Sequence, residues 1–306
     1  MTTGEAAAGV EEAPLAAAVE SYLATFTHAE QKETRKQYGI VLRRLAAVLG
    51  DRDVAGITTA DLTAWMQQTG PEWAPKTWND TRTTLRSAWK WFGAEGLADP
   101  GIPAKIKART VPDDRNRAIP GDVLTGLLED RRIPLRERTM WRMMYDTAAR
   151  ESELLRLNVE DLDMAHNRAA VIRKGSGRDT IVWQSGTAML LPRLLKGRKT
   201  GPLFTTAIRT RPGAQADRTA RGYGRLSART AQALFRQHTL DTPGGPYTLH
   251  QIRHRAATDA SEDGASAVML MAYGGWSNVK SVARYARPST EALAEFQAKR
   301  DPGRRR

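Results

Sequence analysis

Apolar side chains return every three or four positions between residues 32 and 50: Tyr38, Val41, Leu42, Leu45, Val48 and Leu49 share one face of a 3.6-residue repeat. That spacing predicts a helix with one buried side. A second stripe, Trp78, Leu85, Trp89 and Phe92, runs through 76–94. Between them, Thr58 or Thr59 can cap a short helix carrying Leu62, Trp65 and Met66. Residues 14–100 therefore read as a small helical domain. The stretch 98–122, with four prolines, two glycines and mixed charge, reads as a linker.

Beyond it the pattern changes. VLTGLLEDRR, MWRMMYDTAARESELLRL, TAMLLPRLL, SARTAQALFRQH and TLHQIRHRAATDASEDG are helical by pattern, with Ser227 a plausible N-cap. AAVIRKGSGRDTIVW sets two short β-branched runs around a Gly-Ser-Gly turn and predicts a β-hairpin. Residues 206–226 read as a long polar loop with five arginines. There is no internal repeat. The expected organisation is a disordered leader (1–13), a helical domain (14–100), a linker (101–117), an α+β domain (118–300) and a basic tail (301–306). The fold class is mainly α with a small β-sheet.

The net charge of +13 is unevenly spread. Residues 1–13 sum to −3, residues 14–100 balance ten bases against ten acids, and residues 101–306 carry 37 bases against 21 acids. A basic excess confined to one part suggests nucleic-acid contact by that part. On the 76–94 helix, Arg82, Arg86 and Lys90 stand four apart on a side of their own. Such a row repels itself, so it reads equally as a solvated face or as one that meets DNA phosphates, where counterion release rewards it. No run of 18 apolar residues occurs, so no membrane span is expected. The first residues lack the basic and apolar regions of a secretory signal. With no cysteine there is no disulfide framework and no thiolate chemistry, which suits a cytoplasmic location.

Four segments hold the candidate chemistry. DTAARESELLRL puts Arg150 and Glu153 at a helix start. The hairpin carries Lys174 beside its turn. TLHQIRH carries His250 and Arg253 on one helix face, and GGWSNVKSVARY carries Trp276 and, nine residues on, Tyr285. Taken singly, each has a plain structural reading: a surface ion pair, a hairpin lysine, a packed tyrosine. His250 and His254 stand at i and i+4, as zinc ligands can, but Gln251 fills the place where a zincin motif needs glutamate, and no thiolate is available. No metal site is expected.

Order and spacing together carry more. TAARESEL, IRKGSGR, HQIR, GGW and RY follow in the order of the catalytic set of the tyrosine recombinases, the phage integrase family, and DGASAVMLMAYGGWSNVKSVARYA resembles that family's closing helices without a gap. Residues 14–100 resemble, less specifically, its helical core-binding (SAM-like) domain. Trp276 stands where histidine is more common, as in Cre-like members, and its indole N–H can still donate to a phosphate oxygen. The plan looks like the simple two-domain Xer/Cre-like type.

The resemblance implies a mechanism. Arg150 and Arg253 would clamp the non-bridging oxygens of a scissile phosphate with forked donors. Tyr285 would attack the phosphorus. A free phenol, with a pKa of about 10, is only ~0.1% ionised at neutral pH, so a base must help, and His250 is the natural candidate. Lys174 would protonate the leaving 5′ oxygen, Trp276 would hold the phosphate, and Glu153 would orient its neighbours. The product would be a 3′-phosphotyrosine that keeps the bond energy, so no ATP or other cofactor is needed; no GxxxxGK[ST] motif occurs.

The implied function is site-specific recombination through a Holliday junction. The implied partners are double-stranded DNA with inverted half-sites, gripped on opposite faces by the two domains, and further copies of the chain. A dimer would occupy one site and a tetramer the synapse, joined by the C-terminal helix in PSTEALAEFQAK through Leu293 and Phe296. A directionality factor is a further possible partner. Arg178 joins Arg82, Arg86 and Lys90 as a candidate DNA contact. Two alternatives stay open: a type IB topoisomerase with the same chemistry, and a DNA-binding member of the fold without activity.

Overall fold

The computed structural model describes residues 13–28, 31–111, 118–173, 177–210 and 217–283, together with 285, 294, 297 and 298. The leader up to residue 12, Lys174, the tail anchors Leu293 and Phe296, and the basic tail 301–306 lie outside the described residues. The chain divides into two compact units, Met1–Asp113 and Asp114–Arg306.

The first unit is helical: α1 (Leu15–Ala24), α2 (Lys32–Leu49), α3 (Thr59–Thr69) and α4 (Pro75–Ala94). Leu42, Leu45, Leu62, Trp65, Met66, Trp78, Leu85, Trp89 and Phe92 all enter one core, as their spacing predicts. Val48 does not; it is 58% exposed, although Ala46 and Leu49 in the same last turn of α2 pack against the core. α1 has no polar stripe to set its phase, yet Leu15, Val19, Tyr22 and Leu23 close the bundle. Thr58 is the cap of α3: its hydroxyl accepts from Asp61 N, and the Asp61 carboxylate accepts from Thr58 N (2.8 Å) and from both Arg52 terminal nitrogens.

Residues 101–111, expected as linker, pack on this unit. Ile102 and Ile106 join its core, Trp78 Nε1 donates to Lys107 O (3.0 Å), and Asn79 exchanges two hydrogen bonds with Arg109, whose guanidinium lies 3.9 Å over the Trp78 ring. Arg82 donates from Nε to Ile106 O (2.6 Å), so part of the cationic row serves this packing, while Arg86 and Lys90 are exposed.

The second unit runs α5 (Gly121–Glu129), α6 (Leu135–Thr147), α7 (Glu151–Arg156), β1 (Leu162–Asp163), β2 (Arg168–Ile172), β3 (Arg178–Val182), α8 (Ser185–Leu195), β4 (Thr205–Arg209), β5 (Tyr223–Arg225), α9 (Ala228–His238), α10 (Leu249–Glu262), α11 (Ala267–Gly274) and α12 (Val279–Val282). β1, β2 and β3 form an antiparallel sheet with Ala170 opposite Thr180, and alternation buries Ala169 and Val171. The stretch 206–226, expected as a loop, contributes β4 and β5, an antiparallel pair. Its polarity hid the strands: both lie on the surface, and Ile208 is 78% exposed. Ser227 caps α9 by accepting from Thr230 N.

The helical run 140–157 is broken. Ala148 takes a left-handed φ of 46°, ending α6, and α7 starts afresh at Glu151. α6 is the axis of the core, with Met140, Trp141, Met143 and Met144 buried. Buried Asp146 accepts from Gln184 N, Thr187 N and Thr187 Oγ1, anchoring the start of α8. Tyr145 donates to Asp259 on α10 (2.6 Å), and Tyr273 on α11 donates to Tyr145 O (2.7 Å). These bonds tie α10, which carries His250 and Arg253, and α11, which leads into Trp276, to the C-terminal end of α6. Among the described residues no helix is long and apolar enough to cross a membrane.

Candidate active site

The break after α6 positions the first candidate. Arg150 is the N-cap residue of α7; its N–H donates to Glu153 Oε2 (3.0 Å) and its Nη1 to Glu153 Oε1 (2.7 Å). Glu153, its side chain 4% exposed, thus holds both the backbone and the guanidinium. Arg150 keeps 37% of its side chain exposed, enough to meet a ligand.

Arg253 comes from α10 and is 1% exposed. One terminal nitrogen donates to Ala148 O (2.6 Å), a carbonyl freed by the left-handed residue that ends α6. The other has no acceptor among the described residues. The guanidinium carbon lies 4.1 Å from the centre of the Trp276 ring. Burial pulls its pKa down to about 10, helped by the like charge of Arg150 and opposed by Glu153 and Tyr285. A buried guanidinium with a spare donor is poised to take an anion.

Arg150, Arg253 and His250 line one cavity of about 290 Å³ with Met144, Glu151, Ser152 and Gln232. His250 is exposed; burial pushes the Glu151 carboxyl above its usual range.

Trp276 follows Gly274 and Gly275. A side chain at Gly274 would overlap the indole, and one at Gly275, where φ is +64°, would meet the Arg173 guanidinium. The Gly275 carbonyl lies 3.5 Å from Arg150 Nη2. Tyr285 packs against the same indole, ring centres 5.6 Å apart. Its hydroxyl hydrogen-bonds His254 Nδ1, and its carbonyl accepts from Ser261 Oγ; both partners belong to α10. His254 is 5% exposed and packs edge-on to His250, ring centres 4.5 Å apart.

Five of the six sequence candidates, Arg150, His250, Arg253, Trp276 and Tyr285, gather in this one place, with Glu153 behind Arg150. Arg178 lies exposed on β3, opposite Ile172. Sequence reasoning gave no role to two residues found here. His254 was weighed only as half of a zinc pair, although it follows Arg253 on the same helix. Arg173, its side chain 9% exposed with Nε 2.8 Å from Asp179 Oδ2, went unremarked beside Lys174; its burial had no signal in the sequence.

Residues 122–292 match the model of the phage integrase family. The chain belongs to the phage integrase family. It is a tyrosine-type site-specific recombinase. It is 29% identical over 283 residues to "Tyrosine recombinase XerC" of Mycobacterium tuberculosis (strain ATCC 25177 / H37Ra), covering 88% of this chain and 92% of the relative. A lambda integrase tetramer bound to a Holliday junction shares the fold with a TM-score of 0.71 at 16% identity, covering 90% of this chain and 78% of that one. The Tn1549 transposon integrase, in complex with transposon right end DNA, does so with a TM-score of 0.70 at 16% identity over 94% and 99% of the two chains.

Proposed function

We propose that this integrase-family chain cuts and rejoins duplex DNA at inverted half-sites, with Tyr285 attacking the scissile phosphate while Arg150 and Arg253 hold it. The observation that carries this reading is the convergence of the two guanidiniums on one cavity beside the Trp276–Tyr285 pair. Phosphoryl transfer gathers negative charge on the non-bridging oxygens, and fixed donors in a water-poor site meet it at low reorganisation cost. Tyr285 Oη bonds to phosphorus as the bond to the 5′ oxygen breaks. A histidine of α10 takes the phenol proton, and Lys174 supplies one to the leaving oxygen. Trp276 backs Arg253 and offers Nε1–H to the phosphate. The 3′-phosphotyrosine keeps the bond energy, so a 5′-hydroxyl from a second duplex reverses the step without a nucleotide, and two exchanges pass through a Holliday junction.

The partners are then double-stranded DNA and other copies of this chain, two on a site and four in the synapse, in the cytoplasm. The lambda integrase tetramer on a Holliday junction supports that assembly. Exposed Arg86, Lys90 and Arg178 would meet the DNA backbone, making binding strongly salt-dependent.

The test is covalent capture. The chain is mixed, with EDTA and no nucleotide, with a library of nicked duplexes bearing a randomised site, and resolved on a denaturing gel beside Tyr285→Phe. A protease-sensitive shifted band in the wild type alone is expected. A band that survives in Tyr285→Phe, or wild type that binds duplex without ever forming one, overturns the reading.

A further inference from the structure

Two histidines lie on α10, one turn apart, and they face different things. His250 is exposed and lines the cavity shared by Arg150 and Arg253. His254 is 5% exposed, and its Nδ1 is the partner of the Tyr285 hydroxyl. The two rings meet edge to face, 4.5 Å between centres. The Tyr285 carbonyl is fixed to the same helix by Ser261, so the phenol reaches His254 from a doubly tethered residue.

We propose that His254, not His250, accepts the proton of Tyr285 during strand cleavage, leaving His250 to act on the phosphate side. This rests on the reading of Tyr285 as the nucleophile. The balance is simple. The Tyr285 O–H bond breaks, its electron pair forms the O–P bond, and the proton moves to His254 Nδ1, giving an imidazolium. The P–O5′ bond breaks with its electrons on oxygen, which takes a proton from the general acid. On religation the imidazolium returns its proton to the departing phenolate, so one group serves both directions.

The surroundings suit the task. Burial keeps water from competing for the Nδ1 lone pair, and a hydrogen bond already formed removes the need to search for geometry. Two titratable rings pack against His254: Tyr285, from the segment after α12, and His250, on its own helix. Arg253 lies close enough to Tyr285 to favour a phenolate. The first four residues of HQIRH suggest His250 as the base by order alone; the fifth is the one that touches the phenol.

The experiment uses the full chain and the nicked duplex recovered by covalent capture, comparing wild type with His254→Asn. Asparagine places an acceptor where Nδ1 stood, so it keeps the hydrogen bond but cannot take the proton. Adduct formation by His254→Asn should fall about 100-fold or more at pH 7. It should then recover about tenfold per pH unit toward the phenol's own ~10, as phenolate forms unaided. Duplexes with a sulfur in place of the 5′ bridging oxygen need no acid; they should rescue Lys174→Ala and leave His254→Asn slow. Cleavage by His254→Asn at the wild-type rate, a slow rate with unchanged pH dependence, or rescue by sulfur would each overturn the proposal. Wild type that forms no adduct would instead remove the reading of Tyr285, and this inference with it. Should His254→Asn fail to fold, histidine titration by NMR in the DNA-free chain decides the same point. Tyr285→Phe should move the His254 midpoint and leave that of His250; an unmoved His254 refutes the pairing.

Discussion

The Arg253 guanidinium lies over Trp276, 4.1 Å from the ring centre, while Tyr285 meets the same indole 5.6 Å away at 45°. One side chain thus aligns the cation that would hold the phosphate and the phenol that would attack it. Trp276→Ala should remove both alignments and slow adduct formation on the order of 100-fold. Trp276→Phe keeps a ring under the guanidinium but loses the indole N–H, and should fall between the two. Rates on one nicked duplex, with duplex binding measured separately, check this.

Arg253 also sets function against stability. Burial holds its pKa near 10, below the value of about 12.5 expected in an unfolded chain. The folded state therefore binds fewer protons between those values, so stability rises with pH through that window, and below pH 10 the buried charge is a standing cost. Arg253→Met, neutral and of similar length, should raise the melting temperature at pH 7 by several degrees and abolish cleavage. The gain should shrink as pH passes 10. An anion in the cavity offsets the same cost, so millimolar phosphate or vanadate should stabilise wild type and not Arg253→Met.

Tyr285 is held on α10 of its own chain by His254 and Ser261. The nucleophile should accordingly serve the site built by the same chain. Arg150→Ala mixed with Tyr285→Phe should then give adduct at least about 100-fold below wild type, since neither chain has both parts. Recovery in the mixture would mean that the tyrosine is delivered to a neighbour's site.

At Gly275 the backbone sits at φ +64° with the Arg173 guanidinium against its α-carbon. Gly275→Ala should cost at least about 1–2 kcal/mol from the left-handed conformation alone, and should also displace Trp276, next in sequence. A lowered melting temperature together with slower cleavage is the expected result, whereas Gly96→Ala, also at positive φ (+72°) but with open space around it, should cost stability alone.

The sequence by itself determined the helical stripes of the first unit, the β2–β3 hairpin and the order of the six candidates, because each depends on spacing along the chain. A 3.6-residue period marks Leu42, Leu45, Trp78 and Trp89 as core whatever they pack against. It could not determine what depends on neighbours far away in sequence. Residues 101–111 look like linker because they belong to a stretch, 98–122, punctuated by four prolines and two glycines, yet Trp78, Asn79 and Arg82 lie on α4 in position to bind their carbonyls. β4 and β5 gave no strand signal because Gly224 is the one buried residue in the two and it has no side chain to mark a face. Only the tertiary structure made Arg253 a buried cation, by bringing the α6 end and Trp276 around it. It likewise gave the phenol to His254 and the cavity to His250. Both stand on one helix at helical spacing, and nothing local separates them; the difference arises where the chain after α12 returns to lay Tyr285 against α10.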